Sequence, residues 1–411
     1  MGSLPLRARL ATTIAGAAGR VSRLSGRGDG SVIGGAIGLR VEPDLVRLLA
    51  SGRQIVLVTG TNGKTTTTRL VSAALESLGR SVATNAFGAN MDAGVASALG
   101  RDRTAEFGAL EVDERYLPAM IDQTLPRVVI LLNLSRDQMD RAAEIWLIAR
   151  RWRQALGAAD VRVVANADDP LVAWAALGSQ RVTWVAAGQR WREDSWCCPE
   201  CGAHLQRDEL GWRCGDCGLT RPATTWVLDN GKVVDAQGRV RDLSLALPGR
   251  ANRSNAVMAL AAADYFGADL DQALPRLRQV SSVAGRYTQL DVRGRRLRLL
   301  LAKNPAGWLE AFDVLAPAPT PVLLGVNANG PDGRDTSWLW DVDYRVLRGR
   351  PVLAAGERRL DLAVRLEADQ VHFELADGIE DAVGRVPPGP LDVIANYTAF
   401  QQYRVALGRA Q

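Results

Sequence analysis

The chain has 411 residues, 47% of them hydrophobic and 23% charged, with a net charge of +5. It contains no run of about eighteen apolar residues, which excludes an integral membrane protein, and its arginines are scattered rather than gathered in a block, which argues against a nucleic-acid binder. Only His204 and His372 are present, so mechanisms needing several histidines are excluded. What remains is a soluble globular chain of two or three domains.

Charge interrupts 7–23 every few residues, unlike a signal peptide, and the expected location is cytoplasmic, peripheral to the inner face of the membrane. Residues 1–50 read as a short N-terminal segment: an amphipathic helix, a glycine-rich strand or hairpin over 32–43, and helix again from 44 to 49. Fifty residues are too few for a complete extra nucleotide-binding domain.

Residues 54–59 form an apolar run suited to a buried parallel strand. From Thr66 the apolar positions Leu70, Val71, Ala74, Leu75 and Leu78 fall at helical spacing, and Gly79 supplies the stop. Between them lies Thr59-Gly60-Thr61-Asn62-Gly63-Lys64-Thr65-Thr66. Its glycines allow a tight turn whose N–H groups meet an anion at a helix N-terminus. Lys64 can neutralise phosphate and the Thr65 hydroxyl can ligate Mg²⁺, so the loop is a phosphate-binding site for a nucleoside triphosphate. Only Lys64, Lys232 and Lys303 are lysines among fifty basic residues, so a lysine inside this loop is not a chance basic residue.

A second buried strand, 107–112, ends in Glu111, with Asp113 beyond it, at the sheet edge where Mg²⁺ carboxylates sit. Strands over 127–132 and 161–166 follow. Five cysteines lie between Cys197 and Cys217. Cys198-Pro-Glu-Cys201 and Cys214-Gly-Asp-Cys217 are two knuckles of a ribbon closing four thiolates around a structural Zn²⁺; Cys197 is a spare thiol beside them. Residues 229–241 read as a hairpin turning at Asn230-Gly231. A loop carrying Asn252 and Asn255 then leads into a helix. Beyond 285, strands and helices alternate again at 296–301, 308–315, 321–326, 359–366 and 391–395, followed by a final helix.

The TGTNGKTT loop, NADDP at 166–170, the spaced asparagines, Gly285-Arg286 and the NYTA segment at 396–399 resemble the Mur ligase superfamily. The string DTSWLWDVD at 335–343, the ribbon and the absent first domain resemble its MurT family. That resemblance implies an α/β fold with a central ATP-binding domain over 51–284, a zinc-ribbon insertion at 195–222 and a smaller C-terminal domain over 285–411. It also implies ATP held by Thr61, Asn62, Gly63, Lys64, Thr65, Thr66, Asn252 and Asn255, although capping of the helix is an equal role for the two distal asparagines. Mg²⁺ would sit on Thr65 and Glu111, with Lys64, Glu111 and Asp335 catalytic.

The family reaction is amidation of the D-glutamate α-carboxylate of lipid II through an acyl phosphate, with ammonia from a GatD-like class I glutamine amidotransferase. Asp335 would complete that partner's triad, or else cap the turn starting at Thr336. Two departures stand out: Gln138 replaces a histidine that usually follows Asp137, and no lysine lies between Lys64 and Lys232 to be carbamylated. Lys303 suits either a phosphate contact or a plain surface role. The nearest alternative is a folylpolyglutamate synthase-like or other Mur-type amino-acid ligase. A non-catalytic nucleotide-binding ribbon protein is the alternative of a different class.

Overall fold

The computed structural model describes residues 4–24, 31–85, 89–137, 145–209, 211–283 and 286–409. Gln138 and Gly285 lie outside them. The chain divides into two compact units, Met1–Leu134 with Glu144–Leu247 and Ala251–Ser281, and Ser135–Ala143 with Pro248–Arg250 and Ser282–Gln411.

The first unit is built on β1 (Gln54–Thr59), β2 (Val82–Thr84), β3 (Phe107–Glu111), β4 (Val128–Leu131), β5 (Arg162–Asn166) and β6 (Val182–Ala186). After a two-stranded ribbon, β7 (Leu205–Asp208) and β8 (Gly211–Cys214), come β9 (Trp226–Asp229), β10 (Lys232–Val234) and β11 (Val240–Asp242). The large sheet has nine strands in the order β11-β10-β9-β6-β5-β4-β1-β3-β2. From β2 to β9 every neighbour is parallel, and only the β9-β10-β11 edge is antiparallel. Parallel strands covered on both faces read as continuous apolar runs, as do the fully buried Val56, Leu57 and Val58 of β1. The strand order reverses beside β1, with β3 on one side and β4 on the other, and at such a switch point a crevice opens beyond the carboxyl ends of the strands.

Two expectations are corrected. Residues 32–43 are not a strand or hairpin: Ser31–Val41 is a helix. Its glycines serve close packing rather than a turn, since a Cβ on Gly35 would lie 1.7 Å from the Ala93 carbonyl oxygen and one on Gly38 3.2 Å from Ala15 Cβ. Asn252 and Asn255 are not in a loop: they belong to the helix Arg250–Asp264, which starts directly after Gly249. The hairpin at Asn230-Gly231 matches expectation. Both residues have positive φ, 45° and 81°, the geometry of a type I′ turn.

The second unit carries a six-stranded sheet. Its strands are β12 (Tyr287–Val292), β13 (Arg295–Leu301), β14 (Val322–Gly325), β15 (Val352–Ala355), β16 (Glu374–Leu375) and β17 (Gly389–Ala395), in the order β12-β13-β17-β14-β15-β16. Only β12 runs antiparallel to its neighbour. Its apolar core includes Leu299, Leu323, Val393 and Phe400. Strands β12, β15 and β16 were not anticipated.

Candidate active site and metal centre

The loop after β1 closes onto the helix Lys64–Glu76 with Gly63 at the N-cap, φ 88°. Only glycine adopts that conformation cheaply, and here a side chain is also barred by packing, because a Cβ on Gly63 would lie 2.7 Å from Asn255 Oδ1. The helix Arg250–Asp264 therefore presses buried Asn255 directly onto the loop, with half-buried Asn252 one turn earlier. The other side of the loop is fastened to the segment leaving β4. Thr61 N–H donates to the Asn133 carbonyl at 2.9 Å, Asn62 N–H donates to Asn133 Oδ1 at 2.9 Å, and Asn133 Nδ2 donates to the Asn62 carbonyl at 3.0 Å. Thr65 and Thr66 occupy the first helical turn, both buried.

Lys64 is 6% exposed. Its Nζ donates to the carbonyls of Gly60 at 2.7 Å and Thr61 at 3.3 Å, and to Glu114 Oε2 at 3.0 Å. The ammonium is thus stationed at the loop mouth. Glu114 is a residue that sequence reasoning missed: Asp113, which it singled out, instead accepts from the N–H and Nε of Arg115. The indole of Trp152 donates to the Glu114 carbonyl at 2.8 Å and fixes that backbone.

Glu111 is fully buried at the carboxyl end of β3. The Thr65 hydroxyl donates to its Oε2 at 2.7 Å. Asn85 brackets its main chain, accepting from Glu111 N–H at 2.7 Å and donating to the Glu111 carbonyl at 2.8 Å. Glu111 Oε1 is buried and has no hydrogen-bond partner among the described residues. A carboxylate oxygen left in this state costs free energy unless a cation or donor meets it. Together with the Thr65 hydroxyl it is a hard-oxygen donor set that fits Mg²⁺.

The ribbon is assembled independently of that site. Gly202 and Gly218, which follow the two knuckles, have φ of 81° and 76°. The sulfurs of Cys198, Cys201, Cys214 and Cys217 all lie within 4.8 Å of one another, with Cys198–Cys217 at 3.6 Å and Cys201–Cys214 at 3.5 Å. Zinc–sulfur bonds of about 2.3 Å in a tetrahedron place sulfurs ~3.8 Å apart, so the cluster fits Zn²⁺ and leaves no open position. The backbone N–H groups of Cys217 and Asp216 lower the Cys214 thiol to about 7, whereas burial pushes the Cys198 thiol up to about 12, so the metal fit rests on the sulfur geometry. Exposed Cys197 stands outside the set.

Buried Trp212 and Leu205 pack with Cys198 and Cys214 on Ala173. The Trp212 indole donates to the Ala167 carbonyl at 2.9 Å, and Arg221 Nε donates to Asp168 at 2.6 Å. The NADDP segment is therefore the ribbon's seat. Its Asp169 caps the helix Pro170–Ala176 and also accepts from Leu134 N–H at 2.9 Å.

Asp335 belongs to the second unit. Its Oδ1 accepts from Ser337 N–H at 2.8 Å, and the Ser337 N–H and hydroxyl hold its carboxyl below the usual range. The segment that follows is anchored by Trp338 and Tyr344, whose rings lie 6.2 and 5.7 Å from that of Trp308. The loop before it is tied to the end of β17: Thr398 N–H donates to Asp332 at 3.0 Å and Asn396 Nδ2 donates to the Asn327 carbonyl at 2.6 Å. Lys303, in the same unit, forms an ion pair with Asp137.

The family described as "Mur ligase middle domain" matches residues 58–263, and the one described as "MurT ligase C-terminal" matches 301–400. The MurT subunit of the glutamine-hydrolyzing lipid II isoglutaminyl synthase of Streptococcus pneumoniae is 30% identical over 98% of this chain and 98% of its own. The chain belongs to the MurT family. The corresponding Staphylococcus aureus subunit is 27% identical over 98% of this chain and 99% of its own. Among solved structures, a pseudomurein peptide ligase type C from Methanothermus fervidus superposes with a TM-score of 0.68 at 18% identity, covering 87% of this chain and 79% of that one; that likeness supports the fold. The MurT chain is thus an enzyme of the Mur ligase type, a family of ATP-dependent ligases that use Mg²⁺.

Proposed function

We propose that this chain amidates the α-carboxylate of D-glutamate in the lipid II stem peptide, giving D-isoglutamine through an acyl phosphate. The observation that carries the reading is Glu111, buried beside the Thr65 hydroxyl with one oxygen unpartnered, at the mouth of a loop that stations Lys64. A carboxylate is a poor electrophile with a poor leaving group, and phosphorylation corrects both faults. Bound Mg²⁺ supplies charge neutralisation at the phosphates. The chain's own residues do the rest by position and charge. Lys64, held by Glu114 at 3.0 Å, moves from the Gly60 carbonyl toward phosphate, Thr65 and Glu111 would hold the cation, and Asn255 and Asn252 bound the nucleotide site. In this reading 51–284, with the zinc-bearing insertion 195–222, is the ATP-binding domain, 285–411 is the C-terminal domain and 1–50 is a short lead-in.

Ammonia comes from a GatD-like class I glutamine amidotransferase subunit. Glutamine hydrolysis needs a cysteine nucleophile with a histidine base. Four of the five cysteines lie in the cluster that fits a metal, and the His204 ring lies tilted against Trp196 within the ribbon. Asp335, ionised and half-buried, orients that subunit's catalytic imidazole. The test is mass spectrometry of lipid II incubated with ATP, Mg²⁺ and either ammonium or glutamine plus the co-purified partner, with K64A as the control. A product lighter by about one mass unit, absent with K64A, is expected. Unchanged lipid II together with glutamate-dependent ATP turnover would overturn the reading in favour of a glutamate-adding ligase.

A further inference from the structure

The helix Leu6–Leu24 is packed with its small residues inward and its large ones outward. Ala8, Ala11 and Ser22 are buried, and Gly34 of the next helix approaches so closely that a Cβ there would lie 2.6 Å from the Ala15 carbonyl oxygen. On the opposite side Leu6 is 82% exposed, Leu10 56%, Ile14 36% and Val21 65%. At about 100° per residue these four and exposed Ala17 share one stripe roughly 80° wide. Val32 and Ile33, at the start of the following helix, are exposed as well. Elsewhere in the first unit, helices such as Leu270–Arg278 bury their leucines.

The charge on this helix has one sign. Between residues 4 and 24 the charged side chains are Arg7, Arg9, Arg20 and Arg23, with no acid. Arg7 flanks the apolar stripe on one side and Arg9 and Arg20 flank it on the other, all three exposed. Arg7 Nε donates to the Val41 carbonyl at 2.7 Å and lies 3.8 Å from Glu42. Among the described residues no helix is long and apolar enough to cross a membrane, so this one could only lie along a surface.

We propose that this face docks in the interfacial plane of an anionic phospholipid bilayer. An apolar stripe rimmed by arginines suits that boundary: the leucines enter the acyl edge while the guanidinium groups stay among phosphates. The one-signed charge matches an anionic leaflet, which adds attraction for each arginine near the surface. A groove on another protein would bury the stripe but would not require every flanking charge to be positive. This surface is independent of the catalytic reading, and its test needs no substrate.

The experiment is co-sedimentation of the full-length protein with vesicles of phosphatidylcholine alone or mixed with phosphatidylglycerol, at low and high salt, with light scattering of the lipid-free protein alongside. Binding to the anionic vesicles alone, weakened by salt, is expected. The variants L6Q/L10Q/V21Q and R9Q/R20Q, which change exposed side chains only, should each bind about tenfold less while keeping the wild-type melting temperature. Wild-type protein that stays in the supernatant with anionic vesicles would overturn the proposal. So would a triple apolar variant that sediments like wild type, or one that turns a dimer into a monomer, since a second copy would then be what covers the stripe.

Discussion

Replacing Glu111 by Gln separates a metal-binding carboxylate from a structural one, and the two make opposite demands on stability. Gln keeps the size of the side chain and an oxygen to accept from Thr65, which now donates to Oε2 at 2.7 Å. What is lost is one negative charge in a fully buried position. At an effective dielectric of about 20 and ~4 Å, Coulomb's law gives roughly 4 kcal/mol per unit of cation charge. Phosphate oxygens already neutralise about half of a divalent cation's charge, so one unit remains, and at about 1.4 kcal/mol per decade that is near a thousandfold. The amide oxygen returns part of it, so E111Q should lose about a hundredfold to a thousandfold in kcat/KM for ATP-dependent amidation, with the Mg²⁺ requirement shifted to higher concentration. Without nucleotide the same variant should melt at or above the wild-type temperature, because a buried carboxylate with one unpartnered oxygen has been removed. Phosphate release across a Mg²⁺ titration and thermal unfolding of the ligand-free protein are the two assays. Activity within about threefold of wild type, or a loss that tracks a lowered melting temperature, would refute the reasoning.

Asp335→Asn keeps the acceptor for Ser337 N–H but removes the charge. Glutamine-driven amidation in the presence of the partner should fall by about a hundredfold or more while the ammonium-driven reaction is unchanged; equal loss with both nitrogen sources would move Asp335 into this chain's own chemistry. Cys201→Ser, or a strong chelator, should release zinc measurable by atomic emission, redden the emission of the now buried Trp212 and lower the melting temperature. A metal content equal to wild type would end the zinc assignment. Burial pushes the Asp169 carboxyl up to about 6 against backbone donors that pull it down. The folded chain then binds more protons than the unfolded one between about pH 4 and 6, so stability falls as pH rises through that window, by roughly 3 kcal/mol at most. D169N should flatten the curve of melting temperature against pH there, and an unaltered slope would show that the backbone donors prevail.

The loop and its strand were legible because the residues switch abruptly from an unbroken apolar run to helical spacing, with glycines at the junction. The Asn230-Gly231 turn and the two cysteine knuckles were equally direct, since few residues adopt the positive φ of that turn and the paired C-x₂-C spacing suits a tetrahedral metal. Other features depend on what lies opposite in space. Gly34, Gly35 and Gly38 read as a turn in one dimension, and only the facing Ala15 and Ala93 reveal them as packing contacts. Asn252 and Asn255 have weak helix propensity, which tertiary packing overrides. Glu111 stood out at the strand end, but of the acids beyond it the sequence pointed to Asp113 and passed over Glu114. The course of the chain past β3 decides that the first lies under Thr65, the second on Arg115 and the third on Lys64. The alternating acids after the strand could have suggested Glu114, but not which base it would meet. Strand β15, four residues ending in two alanines, carries almost no β-branched signal.

The position of the ribbon in the chain gives the metal an architectural consequence. Strands β6 and β9 are parallel neighbours, paired at Val185–Trp226 and Ala186–Val227. Parallel neighbours cannot be joined by a tight turn, and the span between them is ordinarily bridged by a helix that doubles back across the sheet. Here the bridge is Ala187 to Thr225, and its described residues carry the β7-β8 hairpin and the cysteine cluster in place of a helix. Cutting the insertion away would leave β9, β10 and β11 without a return path, so a shortened enzyme would need a helix grafted in its place. An ion held by the four thiolates would then be a joint in the framework, and stripping it would loosen the far edge of the large sheet, away from the loop that follows β1.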